Sequence, residues 1–404
     1  MTFILISVFV LLYVIPKFYI DILQVRYIQK KLHAKAVILP QQDYIKSGKY
    51  AIKKIYFSLT MLIYETILFI CWVYFGFEML MYYLQTFLDS QTLQGVAFFM
   101  GFLLLQTFLN VPFNYYSTMI LDKQYGFSTT TKQLFFIDTL KSFIVLTVIG
   151  TIFSYIFIYF ADHFEFWWLY GACVAIIAIL LFNIFYPIVF APLFNTFTPL
   201  KNEELQKKIT HLLDHVGFKN NGVFVMDASR RDGRLNAYFG GIGKAKRVIL
   251  FDTLLNKVST DGLLAILGHE LGHFKHKDII KNFFISGVLI FIMFSIAGVL
   301  SIQILQDLGI YSNNGGILAL MILLSPILSF WAMPLIGYFN RKAEYAADDF
   351  GASLTNKSTL ANALVRIVNE NKSFPHSHPI YVFFHYTHPP LLNRLKVLEY
   401  QFEN

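Results

Sequence analysis

A polytopic α-helical membrane protein, with seven transmembrane helices and a small mixed α/β cytoplasmic lobe, is the fold class this sequence predicts. Three observations carry it. Of the 404 residues 56% are hydrophobic and only 14% are charged, whereas a soluble domain is about one quarter charged. Seven apolar runs contain no Lys or Arg: residues 2–16, 55–77, 90–121, 142–161, 167–200, 282–306 and 308–340. Most reach or exceed the roughly 20 residues that cross a bilayer as a helix. The basic residues, finally, fall only in alternate connections between these runs.

The first run is short, but it lacks a basic leader and a small-residue cleavage site, and Pro16-Lys17 follows it directly, so it is read as a retained helix. The second is interrupted by Glu65, an ionisable group at mid-span. Such a group lines water or hydrogen-bonds a neighbouring helix. Several later runs exceed one crossing and imply tilt or kinks, with Pro112, Pro187 and Pro192 marking expected breaks. Connections 80–94, 161–166 and 305–315 hold no Lys or Arg and carry Asp89, Asp162, Glu165 and Asp307 instead. All 33 basic residues therefore fall on the other side, which the positive-inside rule makes cytoplasmic. An impermeant label should reach Ser90 and Asn313 from outside, and Lys257 only from within. The net charge of +8 follows from this sidedness and calls for no nucleic acid. Cys71 and Cys173 lie inside apolar runs and read as packing residues.

Four regions result: 1–200 with five membrane helices, 201–281 as a cytoplasmic lobe, 282–340 with two more spans, and 341–404 as a second cytoplasmic segment. Within the lobe, 205–216 has helical apolar spacing, while 222–226 and 247–251 are short Val/Ile/Phe runs that read as two strands.

The chemistry is concentrated in His269-Glu270-Leu271-Gly272-His273, on a helix capped by Ser259 or Thr260. Two imidazoles four residues apart project from one helical face and can share one zinc, and the intervening Glu can act as general base on water at the metal. A catalytic zinc needs a third protein ligand. His276 is two turns from His269, about 10.5 Å, too far to close on the same ion, and reads as a polar residue near the membrane surface. The alternative is an acidic residue on another helix. Glu344 and Asp348 share one face of the segment following the last run: one carboxylate to ligate, one to accept the free N–H of a ligating His. Ala346 and Ala347 between them would let two helices approach closely.

These motifs resemble the type I CAAX prenyl proteases. Further matches are Pro192-Leu193-Phe194-Asn195, Asn236-Ala237-Tyr238-Phe239, Phe251-Asp252-Thr253-Leu254-Leu255 and Thr387-His388-Pro389-Pro390-Leu391 with Arg394. The resemblance implies an integral-membrane zinc endopeptidase with a water-filled chamber, one zinc per chain, and a peptide or protein substrate, prenylated and membrane-associated, cut near its C-terminus. It implies that His269, His273 and Glu344 hold the zinc, that Glu270 activates water, and that Asp348 orients a ligand. It further implies that Asn236 contacts the substrate backbone, His388 stabilises the tetrahedral intermediate and Arg394 orders the acidic groups. The host membrane would be the endoplasmic reticulum or a bacterial inner membrane. A bacterial host has no prenylated CAAX proteins, so membrane-protein quality control is an alternative. A seven-helix transporter or receptor with an incidental metal motif is the alternative from another class.

Overall fold

The computed structural model describes residues 1–219, 221–241, 246–299, 302–310 and 314–402. Five long helices come first: α1 (Thr2–Leu32), α2 (Gln41–Phe87), α3 (Gln91–Asp122), α4 (Lys132–His163) and α5 (Trp167–Phe194). The lobe follows with β1 (Phe197–Pro199), α6 (Glu203–His215), β2 (Val223–Met226), β3 (Ala237–Gly240), β4 (Arg247–Phe251) and α7 (Thr260–Lys275). Two more spans, α8 (Asp278–Val299) and α9 (Asn314–Leu354), precede the shorter α10 (Lys357–Glu370), α11 (Pro379–His385) and α12 (Leu391–Val397). Among the described residues seven helices are thus long and apolar enough to cross a membrane, as the composition predicts. The short first run is only the beginning of α1, which continues past Pro16 for a total of 31 residues.

The expected breaks at Pro112, Pro187 and Pro192 do not occur. Both helices run through them, with a π-helical turn at Tyr116–Asp122 one turn after Pro112 and another at Tyr186–Phe190 that contains Pro187 and ends before Pro192. A wider turn redistributes the hydrogen bonds around a missing N–H, so the helix continues.

The N-terminus and the bare connections gather at one end. The Met1 amino group lies 4.0 Å from Asp307, and Asp162 accepts hydrogen bonds from Thr92 at 2.7 Å and Asn314 at 2.6 Å. Asn313 itself lies outside the described residues. Beneath this end sits an aromatic core that includes Phe69, Phe77, Phe98, Phe102 and Phe157. A second core, at the opposite end, joins Val248 and Leu250 of the sheet to Leu263, Leu267 and Leu271 of α7 and Leu213 of α6. Clefts with some polar lining open between the spans, one of about 410 Å³ reached by Asn114, Thr118 and Asp138 and one of about 420 Å³ reached by Gln24, Lys54 and Ser58. Glu65 is exposed, with Lys17 and Tyr13 of α1 as electrostatic neighbours. Among the described residues it makes no interhelical hydrogen bond.

The sheet has four strands in the order β1-β2-β4-β3. The two expected strands, β2 and β4, pair in parallel from Val223↔Val248 to Met226↔Phe251. The sequence reading missed the other two, β1 and β3. Strand β3 pairs antiparallel with β4, Ala237 opposite Leu250, and among the described residues no strand pairs with its other edge. The lobe is fastened to the bundle: Arg231 grips Asp138 of α4 with Nε at 2.8 Å and Nη2 at 3.0 Å, and Ser128 bridges to Asp232.

Candidate metal centre and active site

Helix α7 begins at Ser259, whose Oγ accepts the Gly262 N–H at 3.2 Å and satisfies one of the free donors of the first turn. Its glycines decide what it packs on. A Cβ at Gly268 would meet the Gly351 Cα at 3.3 Å, and one at Gly272 would meet the Ala347 Cα at 2.8 Å. Helices α7 and α9 therefore lie nearly backbone to backbone, which only small residues allow. This close crossing sets His269 and His273 of α7 beside Glu344 and Asp348 of α9.

His269 Nε2 is 3.6 Å from Glu344 Oε2 and His273 Nε2 is 3.2 Å from Glu344 Oε1. The candidate ligand atoms of His269, His273 and Glu344 all lie within 4.8 Å of one another. The other nitrogen of each ring is taken by a carboxylate. His269 Nδ1 donates to Asp348 at 2.9 Å, and His273 Nδ1 donates to Asp278 at 3.0 Å. In the neutral form of each ring, Nε2 is then the lone pair and faces Glu344, the orientation a metal-binding imidazole needs. The Glu344 carboxylate is buried, and its Oε2 accepts no hydrogen bond from either ring. Two imidazole nitrogens and a buried carboxylate are a donor set that suits a metal such as zinc. His276 is not part of the cluster.

Arg394 closes the cluster from behind. From α12 it donates to Asp348 with Nε at 2.8 Å and Nη2 at 2.6 Å, and its Nη1 is 3.2 Å from Glu344 Oε2. Burial lowers the pKa of the guanidinium, but Asp348, Glu344 and Glu270 outweigh that and hold it charged. His388 places Nδ1 2.7 Å from Glu344 Oε1, on an exposed side chain. Asn236 is exposed at the start of β3, where its Oδ1 accepts the N–H of Ala237 at 2.9 Å.

Burial pushes the Glu270 carboxyl upward, while His269 and His273 pull it down, and the net shift is up. Burial alone would lower the His273 pKa, but its hydrogen bonds to Glu344 and Asp278 raise it to about 9. Glu270 and His273 open into a cleft of about 830 Å³ walled by Phe218, Tyr238, Phe239 and Phe274. Tyr238, Phe239 and Gly240 of β3 border this cleft.

Sequence reasoning missed two contributors. Asp278, on the first residue of α8, is brought back to His273 because Lys277 turns the chain with φ of +58°, and no spacing rule signals that. The β3 edge is the other: Ala-Tyr-Phe-Gly is too short to show alternation.

Residues 199–401 match peptidase family M48, and residues 24–196 match the CAAX prenyl protease N-terminal domain of five membrane helices. The chain is 34% identical over 321 residues to CAAX prenyl protease 1 of Saccharomyces cerevisiae, covering 73% of this chain and 70% of that protein. It is 28% identical over 404 residues to the CAAX prenyl protease 1 homolog of Arabidopsis thaliana, covering 94% and 93%. The crystal structure of S. mikatae Ste24p is similar with a TM-score of 0.91 at 27% identity, over 99% of both chains.

Proposed function

This chain belongs to peptidase family M48 and, within it, to the CAAX prenyl proteases; it is an integral multi-pass membrane metallopeptidase, and we propose that it cuts a peptide bond near the C-terminus of a membrane-associated, prenylated substrate. In this reading His269, His273 and Glu344 hold one zinc ion. The observation that carries it is the pair of imidazole nitrogens, His269 Nε2 and His273 Nε2, at 3.6 and 3.2 Å from the buried Glu344 carboxylate, with the far side of each ring held by another carboxylate. The basic side of the membrane, where this cluster lies, would be cytoplasmic in an endoplasmic reticulum or bacterial inner membrane.

Zinc in this position would supply Lewis acidity to the scissile carbonyl and make water a stronger acid. The protein's own groups do the rest. Glu270 lies in the cleft beside the cluster, and its raised pKa suits a base that takes a proton from water and returns it to the departing amine. His388, exposed and already beside Glu344, is placed to donate to the developing oxyanion. The outer edge of β3 would take the substrate as an added strand through main-chain hydrogen bonds, with Asn236 at its start. Arg394 keeps Asp348 and Glu344 ionised and in place.

Main-chain recognition by β3 also favours a second reading, cleavage of any extended membrane-protein segment in quality control. One peptide prepared with and without an isoprenyl group on its cysteine separates the two. The prenylated form should be cut with the lower KM, a chelator should stop the reaction, and added zinc should restore it. Equal KM values would favour quality control, and chelator-resistant cleavage would remove the metal from the reaction.

A further inference from the structure

A groove of about 920 Å³ lies between the beginning of α8 and α9, and shares Ile280 with the cleft that holds Glu270. Its floor is apolar, formed by Ile280, Phe284 and Ile285 of α8 and Phe339 and Ala343 of α9. Its rim is basic, carrying Lys281 and Lys342. Lys342 is exposed and has no ion pair among the described residues. The only acid in the lining, Asp278, is buried and already serves His273 and Lys281, the latter at 2.9 Å. His276 also lines the groove, and its Nδ1 is buried with no hydrogen-bond partner.

The level of these groups identifies the occupant. Lys281 immediately precedes the apolar run of α8 and Lys342 lies just beyond that of α9, so the cations stand at the boundary where lipid phosphates lie. Phe284 and Phe339, 70% and 49% exposed, extend the groove from that boundary toward the hydrocarbon. We propose that this groove holds one anionic phospholipid of the surrounding bilayer, its phosphate at Lys342, Lys281 and His276 and an acyl chain along Phe284, Ile285 and Phe339. Charge complementarity favours an anionic lipid over a zwitterionic one. A choline group would bring a second positive charge to a rim with no free carboxylate to meet it.

The full-length protein, solubilised with equal amounts of phosphatidylglycerol and phosphatidylcholine, tests this by native mass spectrometry. One phosphatidylglycerol should be retained per chain with a several-fold preference over phosphatidylcholine. Lys281→Gln combined with Lys342→Gln should lose that preference, and so in part should Lys342→Gln alone, an exposed change that leaves folding intact. Lys342→Arg should keep it. Equal retention of the two lipids by the wild type, an unchanged preference in the double variant, or displacement of the lipid by excess inorganic phosphate would each overturn the proposal.

Discussion

Glu270 and Glu344 carry the same side chain, and their surroundings give them different work. Glu344 is buried among His273, His388 and Arg394, whereas Glu270 faces the cleft. Glu270→Gln should therefore retain stoichiometric metal while turnover falls by about 10²–10⁴-fold, because an amide cannot take a proton. Glu344→Ala should lose the metal to a chelator, since two imidazoles remain. Elemental analysis beside a cleavage assay checks both, and a metal-loaded Glu344→Ala protein would show that the third ligand is another group. Asp348→Asn and Asp278→Asn should each cost roughly 10–100-fold in metal affinity through lost orientation of a ligating ring. His273 adds a pH dependence. In the metal-free protein its pKa is about 9, so below that pH the ring is protonated and the metal must displace the proton. Metal affinity should rise by about tenfold per pH unit toward pH 9 and then level off; calorimetry near neutrality should find about one proton released per metal bound. His269, Glu270 and His273 were legible because helix geometry fixes what a four-residue spacing means. Asp278 was not, because its role depends on a positive φ at Lys277 that no residue type there demands.

The crossing of α7 and α9 does for the two elements what the ligands do for the metal. Replacing a mid-helix Gly by Ala ordinarily stabilises a helix by about 1 kcal/mol. At Gly272 the added methyl would meet the Ala347 backbone at 2.8 Å, and backbone cannot swing aside, so the helices must separate. Gly272→Ala should lower stability by about 1–3 kcal/mol and weaken metal binding, both visible in thermal unfolding followed with and without zinc. Unchanged metal affinity would mean that the ligands tolerate a wider crossing. The small residues flanking Glu344 made a close approach readable in advance, and it is Ala347, not Ala346, that makes this contact. The strands were legible only where Val, Ile and Phe cluster, as in β2 and β4. Strand β3 is four residues long and owes its conformation to pairing with β4, so its own sequence carries little sign of it.

Sidedness belongs to the molecule as a whole, and its expectation rests on the distribution of 33 basic residues, a property of composition and not of contacts. A single cysteine at Ser90 should react with an impermeant reagent in intact cells, and one at Lys257 only after the membrane is opened. Labelling of Lys257 from outside would invert the topology. The fastening of lobe to bundle was not readable: Arg231 and Asp138 lie 93 positions apart with no local pattern to link them. The centre is similarly dispersed, since Arg394 stands 125 positions beyond His269. That separation has a consequence for biosynthesis. A growing chain that has completed α7 possesses the histidine pair and Glu270 but neither the α9 carboxylates nor the guanidinium that orders them, and two more spans must be inserted before those exist. On the proposed ligand set, hydrolytic competence would thus be postponed by the order of translation itself, and the nascent polypeptide would thread its later spans into the bilayer before a complete blade existed.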